Sequence, residues 1–379
     1  MSLMVVAMVG CKDTTTDPPA ETPDLLLQQV MKRNGNEAPT GPLAEGNNVV
    51  FSGTFSDAAG THTDYAFRRY SSSGSLLLGW LVGMPNTTND AYRLKKRAAG
   101  GYLILGSTSG AGKDAQAVFT NVDGNYEHEL VTGGSADDVF TDAVELSDGS
   151  FLVCGTTNSS GPAARNIYLV KMSSTGGKVW EKTFGTNGND GASAILPFGD
   201  GYAIYGYTDG AGAGDRDLCV LKVTASGDSL WMKTYGGDKY EQSGGMIATK
   251  DGNYVLCGHT TSFGDPMHDA YVVKIDADGD QLWSKTYGRE NHDGADAIIE
   301  LKNGDLAMTG YSRIPDLTDN ELYFLHVSAS GKKLRELRYG FPNSNEAGMG
   351  LAELADGIMV VGQTEAAGVT DVYLVKLSR

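Results

Sequence analysis

The chain holds little of what marks several other classes of protein. It has 11 prolines in 379 residues, and no Gly-X-Y period suggests collagen. No apolar stretch is long enough to span a bilayer as a helix. Charged residues make up only 20%, and hydrophobic residues make up 40%, which argues against disorder. Such a composition predicts a folded protein with a large core.

Basic residues are scarce as well. The 30 lysines and arginines face 47 aspartates and glutamates, so the formal net charge is −17. A chain this acidic is a poor general binder of nucleic-acid phosphate or anionic lipid. We therefore expect no nucleic-acid partner.

The sequence also lacks the common short motifs of enzymes and metal proteins. The six histidines are scattered, and neither an HExxH motif nor a paired-cysteine spacing occurs, so zinc has no support. No P-loop is present, and no Gly-x-Ser-x-Gly elbow falls in a strand–turn–helix context.

Glycine, by contrast, is abundant, with 51 residues, and it marks an internal repeat. Seven apolar runs each end in a glycine, and these glycines follow one another at spacings of 53, 49, 51, 52, 52 and 52 residues. They are Gly53, Gly106, Gly155, Gly206, Gly258, Gly310 and Gly362. A period of this length is typical of propellers and related repeat architectures.

Three further short runs accompany each apolar run, except that the last copy lacks the third of them. One is rich in small residues (Asp293–Ile298), and one begins with Asp or a close substitute (Asp269–Val272). The third lies between two glycines nine residues apart and in three copies carries a Trp, as in Trp-x-Lys-Thr-Tyr-Gly (Trp283–Gly288). Four β-rich runs per repeat, seven times over, predict an all-β fold: a seven-bladed β-propeller of four-stranded antiparallel blades. We name the strands A (small residues, innermost), B (ending in glycine), C (after Asp) and D.

The last copy stops after strand C, and the start of the chain offers the missing strand. Residues near 25–33 carry Lys32 and Gly35 in the spacing of Lys285 and Gly288. We therefore predict that this N-terminal segment is strand D of the seventh blade, which removes an open sheet edge. The predicted domains are residues 1–23, a truncated signal and tether, and residues 24–379, a single propeller.

The cysteines divide into two groups. Val9-Gly10-Cys11 follows an apolar run and precedes a polar Thr/Asp/Pro stretch, and it resembles the lipobox of bacterial lipoproteins. That resemblance implies a lipid on Cys11 as the means of membrane contact, whereas the alternative is an ordinary tail. Cys154, Cys219 and Cys257 fall inside predicted strands, so we expect small buried hydrophobes rather than a disulfide.

The stretch from Lys274 to Gly288 reads Lys-hydrophobic-Asp-x-x-Gly-x-x-x-Trp-x-Lys-Thr-Tyr-Gly. This pattern resembles the repeats of secreted and lipid-anchored bacterial β-propeller proteins and, more distantly, kelch-like and quinoprotein-like repeats. The resemblance covers nearly the whole chain from about residue 24. It implies a surface protein of the bacterial cell envelope, anchored at the outer membrane or cell surface.

An acidic residue stands just before strand A in every copy, 16 or 17 residues before the strand B glycine. The seven are Glu37, Asp90, Asp138, Asp190, Glu241, Asp293 and Glu346. Seven carboxylates around one axis are a candidate metal ring for Ca²⁺, which takes six to eight oxygen ligands. The alternative is that each acid binds backbone N–H groups of its own loop or pairs with a lysine.

Other recurring residues are predicted to be structural. Trp180, Trp231 and Trp283 on strand D should pack in the core. The lysines Lys182, Lys233 and Lys285 on the same strands should pair with neighbouring groups.

Residues that break the repeat are better candidates for ligand binding, because functional loops sit on rigid scaffolds. The D–A and B–C loops share one face of the ring, around the mouth of the central channel. The candidates in these loops are Asp238, Tyr240, His268, Arg289, Asn291, His292, Arg313, Phe341 and Asn343. Aromatic and arginine side chains among amides are typical of contacts with a sugar or a protein.

The preferred hypothesis is a non-catalytic, monomeric binding or scaffold protein that needs no cofactor and contacts a protein or glycan. The alternatives are a carbohydrate-active or quinoprotein-like enzyme with its site at the channel mouth, and a structural spacer.

Overall fold

The computed structural model describes residues 24–32, 35–57, 62–82, 87–109, 112–265, 267–289, 292–313 and 319–379. Cys11 and the predicted tether lie outside these residues. The described part of the chain contains β-strands and no helix, and so no helix long and apolar enough to cross a membrane.

The strands follow one another at the short intervals that the repeat predicts. In chain order they are β1 Leu25–Met31, β2 Gly35–Glu45, β3 Asn48–Asp57, β4 Thr63–Ser71, β5 Leu76–Val82, β6 Asn89–Lys96, β7 Tyr102–Ser109, β8 Lys113–Thr120, β9 Tyr126–Thr132, β10 Asp138–Glu145, β11 Phe151–Thr157, β12 Asn166–Met172, β13 Lys178–Phe184, β14 Asp190–Phe198, β15 Gly201–Thr208, β16 Asp217–Val223, β17 Ser229–Tyr235, β18 Glu241–Ala248, β19 Tyr254–Thr260, β20 Asp269–Ile275, β21 Gln281–Tyr287, β22 Asp293–Glu300, β23 Leu306–Arg313, β24 Asn320–Val327, β25 Lys333–Tyr339, β26 Asn345–Leu354, β27 Gly357–Ala366 and β28 Val369–Leu377.

These strands form seven four-stranded antiparallel sheets, each with its strands in the order A–B–C–D. Blades 1 to 6 are β2–β5, β6–β9, β10–β13, β14–β17, β18–β21 and β22–β25, and blade 7 is β26–β27–β28–β1. The A strands of neighbouring blades contact one another, which places them innermost. The predicted seven-bladed propeller is therefore confirmed.

The ring is closed by the N-terminal strand, as predicted. Strand β1 pairs antiparallel with β28, so that Leu27 lies opposite Lys376 and Val30 lies opposite Tyr373. The side-chain amide of Gln28 donates to the Tyr373 hydroxyl at 2.5 Å. Blade 7 is thus built from both ends of the described chain.

The core lies between the blades, where strands B and C are covered on both faces. The seam between blades 4 and 5 shows the pattern: Tyr205 and Val220 of one blade pack with Leu256 and Val273 of the next. Burying each such side chain contributes about 1.5–3 kcal/mol. Because both faces of strands B and C are buried, their sequences are continuous apolar runs rather than alternating ones.

The three internal cysteines belong to this core. Cys154, Cys219 and Cys257 are buried free thiols, as predicted. Burial raises the pKa of Cys154 and of Cys257 to about 12, so both stay protonated at neutral pH.

The outer strands clasp the next blade through a tryptophan and a lysine. Trp231 of blade 4 packs over Gly279 in the C–D turn of blade 5, and Lys233 Nζ donates to the Asp278 carbonyl at 2.8 Å and to Asp280 Oδ1 at 2.6 Å. Blades 3 and 5 repeat the arrangement with Trp180/Lys182 and Trp283/Lys285. The tryptophans are half-buried packing residues, and the lysines are structural partners, as predicted.

Every innermost strand carries a β-bulge at the same place. Its pairing with strand B shifts by one residue, for example around Ser193 in blade 4 and around Asp296 in blade 6. Equivalent shifts occur in the other five blades. A bulge frees one residue from the ladder and increases the local twist. These bulges lie on the innermost strands, which contact the A strands of the neighbouring blades.

Candidate functional site

Three of the sequence-predicted residues come together at the channel mouth. Tyr240 lies in the D–A loop between blades 4 and 5, His268 in the B–C loop of blade 5, and His292 in the loop between blades 5 and 6. The ring centroids of His268 and His292 are 4.9 Å apart, and those of Tyr240 and His268 are 6.3 Å apart. These side chains form one patch although they come from three loops.

Sequence reasoning missed a histidine at the centre of this patch. His259, near the end of β19, lies 4.8 Å from His268 and 6.0 Å from Tyr311, both measured between ring centroids. It is only 8% exposed, and its Nδ1 atom has no hydrogen-bond partner within the described chain. Three imidazoles therefore stand in a row across blades 5 and 6.

Two of these imidazoles, those of His259 and His268, resist protonation. Burial lowers the pKa of His259 to about 3, with smaller effects from His268 and His292. Burial likewise lowers the pKa of His268, and the neighbouring His292 adds to this. Because the charged form is disfavoured, both rings are neutral at pH 7 and present nitrogen acceptors, N–H donors and flat faces rather than positive charge.

An arginine held between two tyrosine rings borders the histidines. The Arg216 guanidinium lies 4.1 Å from the Tyr207 ring centroid and 4.8 Å from that of Tyr240. It pairs with Asp209 at 2.6 Å and donates to the Tyr240 hydroxyl at 2.8 Å and to Gln242 Oε1 at 3.1 Å. Hydrogen bonds and stacking fix the rings, so a ligand meets a preformed surface.

We call this surface the channel-mouth cluster. It consists of Tyr207, Arg216, Tyr240, Gln242, His259, His268, His292 and Tyr311.

When the seven copies of the repeat are aligned, most residues of the channel-mouth cluster fall at three equivalent positions, which we call columns. The unusual residues in these columns are the sequence signal for the cluster. The residue after the strand B glycine is Tyr207, His259 or Tyr311 in blades 4 to 6, whereas the other blades carry Thr54, Ser107, Thr156 and Gln363. The residue before strand C is Arg216 or His268, and the residue before the strand A acid is Tyr240 or His292. Aligning the seven copies and comparing these columns would have found the residues that were missed.

The other candidates lie elsewhere or have structural contacts. Arg313 borders the cluster, where its Nε donates to Asn320 Oδ1 at 3.2 Å. Asp238 is exposed on the loop before Tyr240, and the backbone N–H of Arg289 donates to Asp293 Oδ2 at 2.8 Å. Phe341 packs against Tyr373 of blade 7 with the two rings tilted and their centroids 5.4 Å apart.

Two candidates remain. The backbone N–H of Asn343 donates to Asp319 Oδ2 at 3.1 Å, and Asn291 lies outside the described residues.

The seven acids before strand A are engaged by groups close to them. Five accept a backbone N–H from their own D–A loop: Asp138 from Gly134, Asp190 from Thr186, Glu241 from Gly237, Asp293 from Arg289 and Glu346 from Phe341. Glu37 pairs with Arg68 and Asp90 with Lys113. Six of the seven are buried, and burial raises the pKa of Asp293 and of Glu346. Within the described ranges, no group of three or more His, Cys, Asp or Glu is placed to hold a metal ion.

Comparison with curated proteins gives one distant relative and no family. No protein-family model matches the chain. Over 194 residues, 45% of this chain, the sequence is 26% identical to regulatory protein FlaEY of Caulobacter vibrioides. The match spans only 20% of the length of that protein.

Solved structures resemble the whole ring. The WD40 domain of Neurospora crassa Pan2 matches 90% of this chain and 89% of its own length, with a TM-score of 0.54 and 9% identity. The WD40 propeller of Doa1 matches 92% and 96%, with a TM-score of 0.53 and 11% identity. A puromycin hydrolase matches 88% of this chain over 53% of its own length, with a TM-score of 0.55 and 14% identity. At these identities the likeness establishes the propeller fold alone.

Proposed function

We propose that this protein is a non-catalytic binding propeller that contacts a protein or glycan through the channel-mouth cluster. The observation that carries the proposal is the departure from repeat symmetry. The position after the strand B glycine is small or polar in four blades but holds Tyr207, His259 and Tyr311 in blades 4 to 6. The position before the strand A acid is Asn or Asp in five blades but Tyr240 and His292 in blades 5 and 6. The acid before strand A and the bulge within strand A are structural and recur in all seven blades, whereas a binding site needs only one position on the ring.

The chemistry of the cluster suits such a contact. Tyrosine rings offer apolar faces with a polar end, and they lose little conformational entropy on binding. The neutral imidazoles of His259 and His268 and the Gln242 amide supply hydrogen-bond donors and acceptors at a low desolvation cost compared with free charges. The propeller fold commonly mediates protein interactions, and its rigidity keeps these loops in place.

We also propose a lipid anchor at Cys11 in a bacterial cell envelope, on the support of the Val9-Gly10-Cys11 sequence. Metabolic labelling with a fatty-acid analogue tests this proposal. Cys11→Ser should abolish labelling and membrane fractionation, and unchanged fractionation would contradict the anchor.

The binding proposal is tested with a glycan array and with pull-downs from an envelope fraction. The test variant is the pair Tyr240→Ala and His268→Ala, and the matched control is Leu282→Ser, an exposed residue on the outer rim of blade 5. We expect the pair to weaken binding at least tenfold and the control to leave it unchanged. Equal retention by both variants, with unchanged melting, would place the function away from the channel mouth.

A further inference from the structure

The outer strand of blade 1 differs from its counterparts. Six and seven residues after the turn glycine, blades 3 to 5 carry a lysine and a threonine: Lys182–Thr183, Lys233–Thr234 and Lys285–Thr286. In β5 the same two positions are Trp80 and Leu81, which are 46% and 47% exposed. Blade 1 thus presents two large apolar side chains where three other blades present a polar clasp.

The replacement leaves a cleft at the seam between blades 1 and 2. Its volume is about 260 Å³, and its apolar walls come from Trp80, Leu81, Val118 and Tyr126. Blades 2 and 6 also replace the lysine, but their Leu130 and Leu337 pack against core clusters between blades. Within the described chain, the clasp position is both apolar and exposed only in blade 1.

Polar groups inside this cleft lack the partners expected of buried groups. Asn89 is 1% exposed; its amide nitrogen donates to the Thr63 carbonyl, but its Oδ1 has no hydrogen-bond partner in the described structure. Glu129 accepts a hydrogen bond from Gln116 at 2.6 Å and, among the described residues, makes no ion pair. A buried acceptor without a donor is destabilising, so a ligand that donates to it gains affinity.

The backbone of β5 adds a third element of recognition. The strand pairs with β4 on one side only, and its outer edge is unpaired in the blade 1 sheet. Exposed strand edges bind extended segments through main-chain hydrogen bonds, while alternate side chains of the segment enter pockets beside the edge.

We infer that the cleft between blades 1 and 2 docks an extended segment of a partner protein that pairs with β5. A large apolar side chain of the segment fills the space bordered by Trp80, Leu81 and Tyr126, and a lysine or arginine pairs with Glu129. Charge complementarity selects this occupant, because the Glu129 carboxylate in the cleft makes no ion pair among the described residues and the chain has a net charge of −17. The site lies on the outer rim and does not depend on the function proposed for the channel mouth.

The test uses the full chain and a random twelve-residue peptide library, with counter-selection against the double variant Trp80→Lys and Leu81→Thr. That variant restores the pair found in blades 3 to 5, so we expect it to melt within a few degrees of wild type. Wild-type-selective peptides should share a bulky apolar residue near a lysine or arginine. Their affinity should fall at least tenfold in the double variant and about threefold in Glu129→Gln.

Two controls separate this site from the channel mouth and from loss of folding. Tyr240→Ala with His268→Ala, and separately Leu282→Ser, should leave peptide affinity unchanged. A selected peptide should slow amide hydrogen exchange in residues 76–82 of the wild-type chain, a readout that needs no variant. The inference is overturned by a library with no wild-type-selective peptides, by peptides insensitive to Glu129→Gln that leave exchange in β5 unchanged, or by self-association that the double variant abolishes.

Discussion

Individual carboxylates hold the loops of this ring in place. A carboxylate that accepts a backbone N–H four residues earlier, as Asp190 does from Thr186 at 2.6 Å, closes a tight turn without a partner from another blade. The equivalent bond at Asp138 is 2.8 Å long and at Glu241 3.0 Å. The acid before strand A makes this local bond in five blades, and in blades 1 and 2 it pairs with Arg68 or Lys113 instead.

Asp269, which begins strand C of blade 5, gives a pH-dependent test at the residue scale. Burial, with smaller contributions from Asp265 and Asp293, raises its pKa to about 6. Because the folded pKa exceeds the unfolded value near 4, the folded state binds the proton more tightly. This group's contribution to stability is therefore fully present below about pH 4 and is lost as the pH rises through about 6.

We predict that Asp269→Asn removes the loss of stability that Asp269 causes as the pH rises through about 6. Asn166 occupies the equivalent position in blade 3, and its Oδ1 accepts the backbone N–H of Ala163 at 3.3 Å, so an amide fits the turn. The variant should gain on the order of 1–2 kcal/mol in unfolding free energy over wild type between pH 4 and pH 7. Urea denaturation at both pH values measures this difference. A parallel pH dependence in the two proteins would contradict it.

At the scale of elements, the clasp between neighbouring blades explains why the C–D turns need glycine. Gly279 has a φ of +80°, and a Cβ added there would lie 2.6 Å from Trp231 Cη2 of the preceding blade. Positive φ is disfavoured for residues with a Cβ, and the tryptophan leaves no space for one. The turn of one blade and the outer strand of the previous blade are therefore a single packing unit.

Gly279→Ala should accordingly destabilise the protein by about 2–3 kcal/mol, through backbone strain and overpacking together. Gly252→Ala is the matched control, because Gly252 has a φ of +83° but nothing within 4 Å of an added Cβ. The control should lose only the strain contribution, about 1 kcal/mol. Thermal and urea unfolding of the two variants measure the difference, and equal losses would show that the tryptophan contact contributes nothing.

Most secondary-structure elements of this protein could be predicted from the sequence. The strands and their blade assignment were predictable because seven copies repeat the same pattern. Gly206 and Gly258 mark the end of the same strand in two blades, and Trp231 and Trp283 mark the outer strand of the same two blades. Tyr240, His268 and His292 were found because they break that repeat in a loop.

The strand-end members of the site were missed because only loop residues were searched for departures from the repeat. Tyr207, His259 and Tyr311 lie near the ends of strand B, where aromatic side chains also pack in the core, as Tyr205 does. Phe341 is the opposite case: its position in a loop predicted a ligand-binding residue, but its ring packs against Tyr373 of blade 7. Sheet twist and the neighbouring blade determine whether a side chain at the end of a strand faces the core or the surface of the propeller. The local sequence indicates neither of them.

For the whole molecule, ring closure depends on one short strand. Strand β1 supplies the outer edge of blade 7, and its Leu25 and Val30 pack on the core shared by blades 6 and 7. Removing it exposes the edge of β28 and uncovers buried side chains at the point where the first and last blades meet.

We predict that deletion of residues 24–34 lowers the melting temperature by more than about 10 °C, because several kcal/mol of packing and pairing are lost from one ring. Leu26→Ser is the control, since this β1 side chain is exposed and its loss should shift melting by no more than a few degrees. Differential scanning calorimetry measures both variants. A deletion that melts like wild type would mean that the ring closes without β1.

The pairing in blade 7 also determines how the ring responds to mechanical force. Leu25 lies opposite Leu377 and Met31 opposite Val372, so the two ends of the described chain leave the ring side by side, at the face away from the channel mouth. Tension between these ends would unzip β1 from β28 one hydrogen bond at a time. Tension between residue 24 and a partner bound at the channel mouth would instead run along β1 and shear its hydrogen bonds together. A propeller held through its N-terminal segment thus resists a pull on its ligand better than a pull on its own C-terminus.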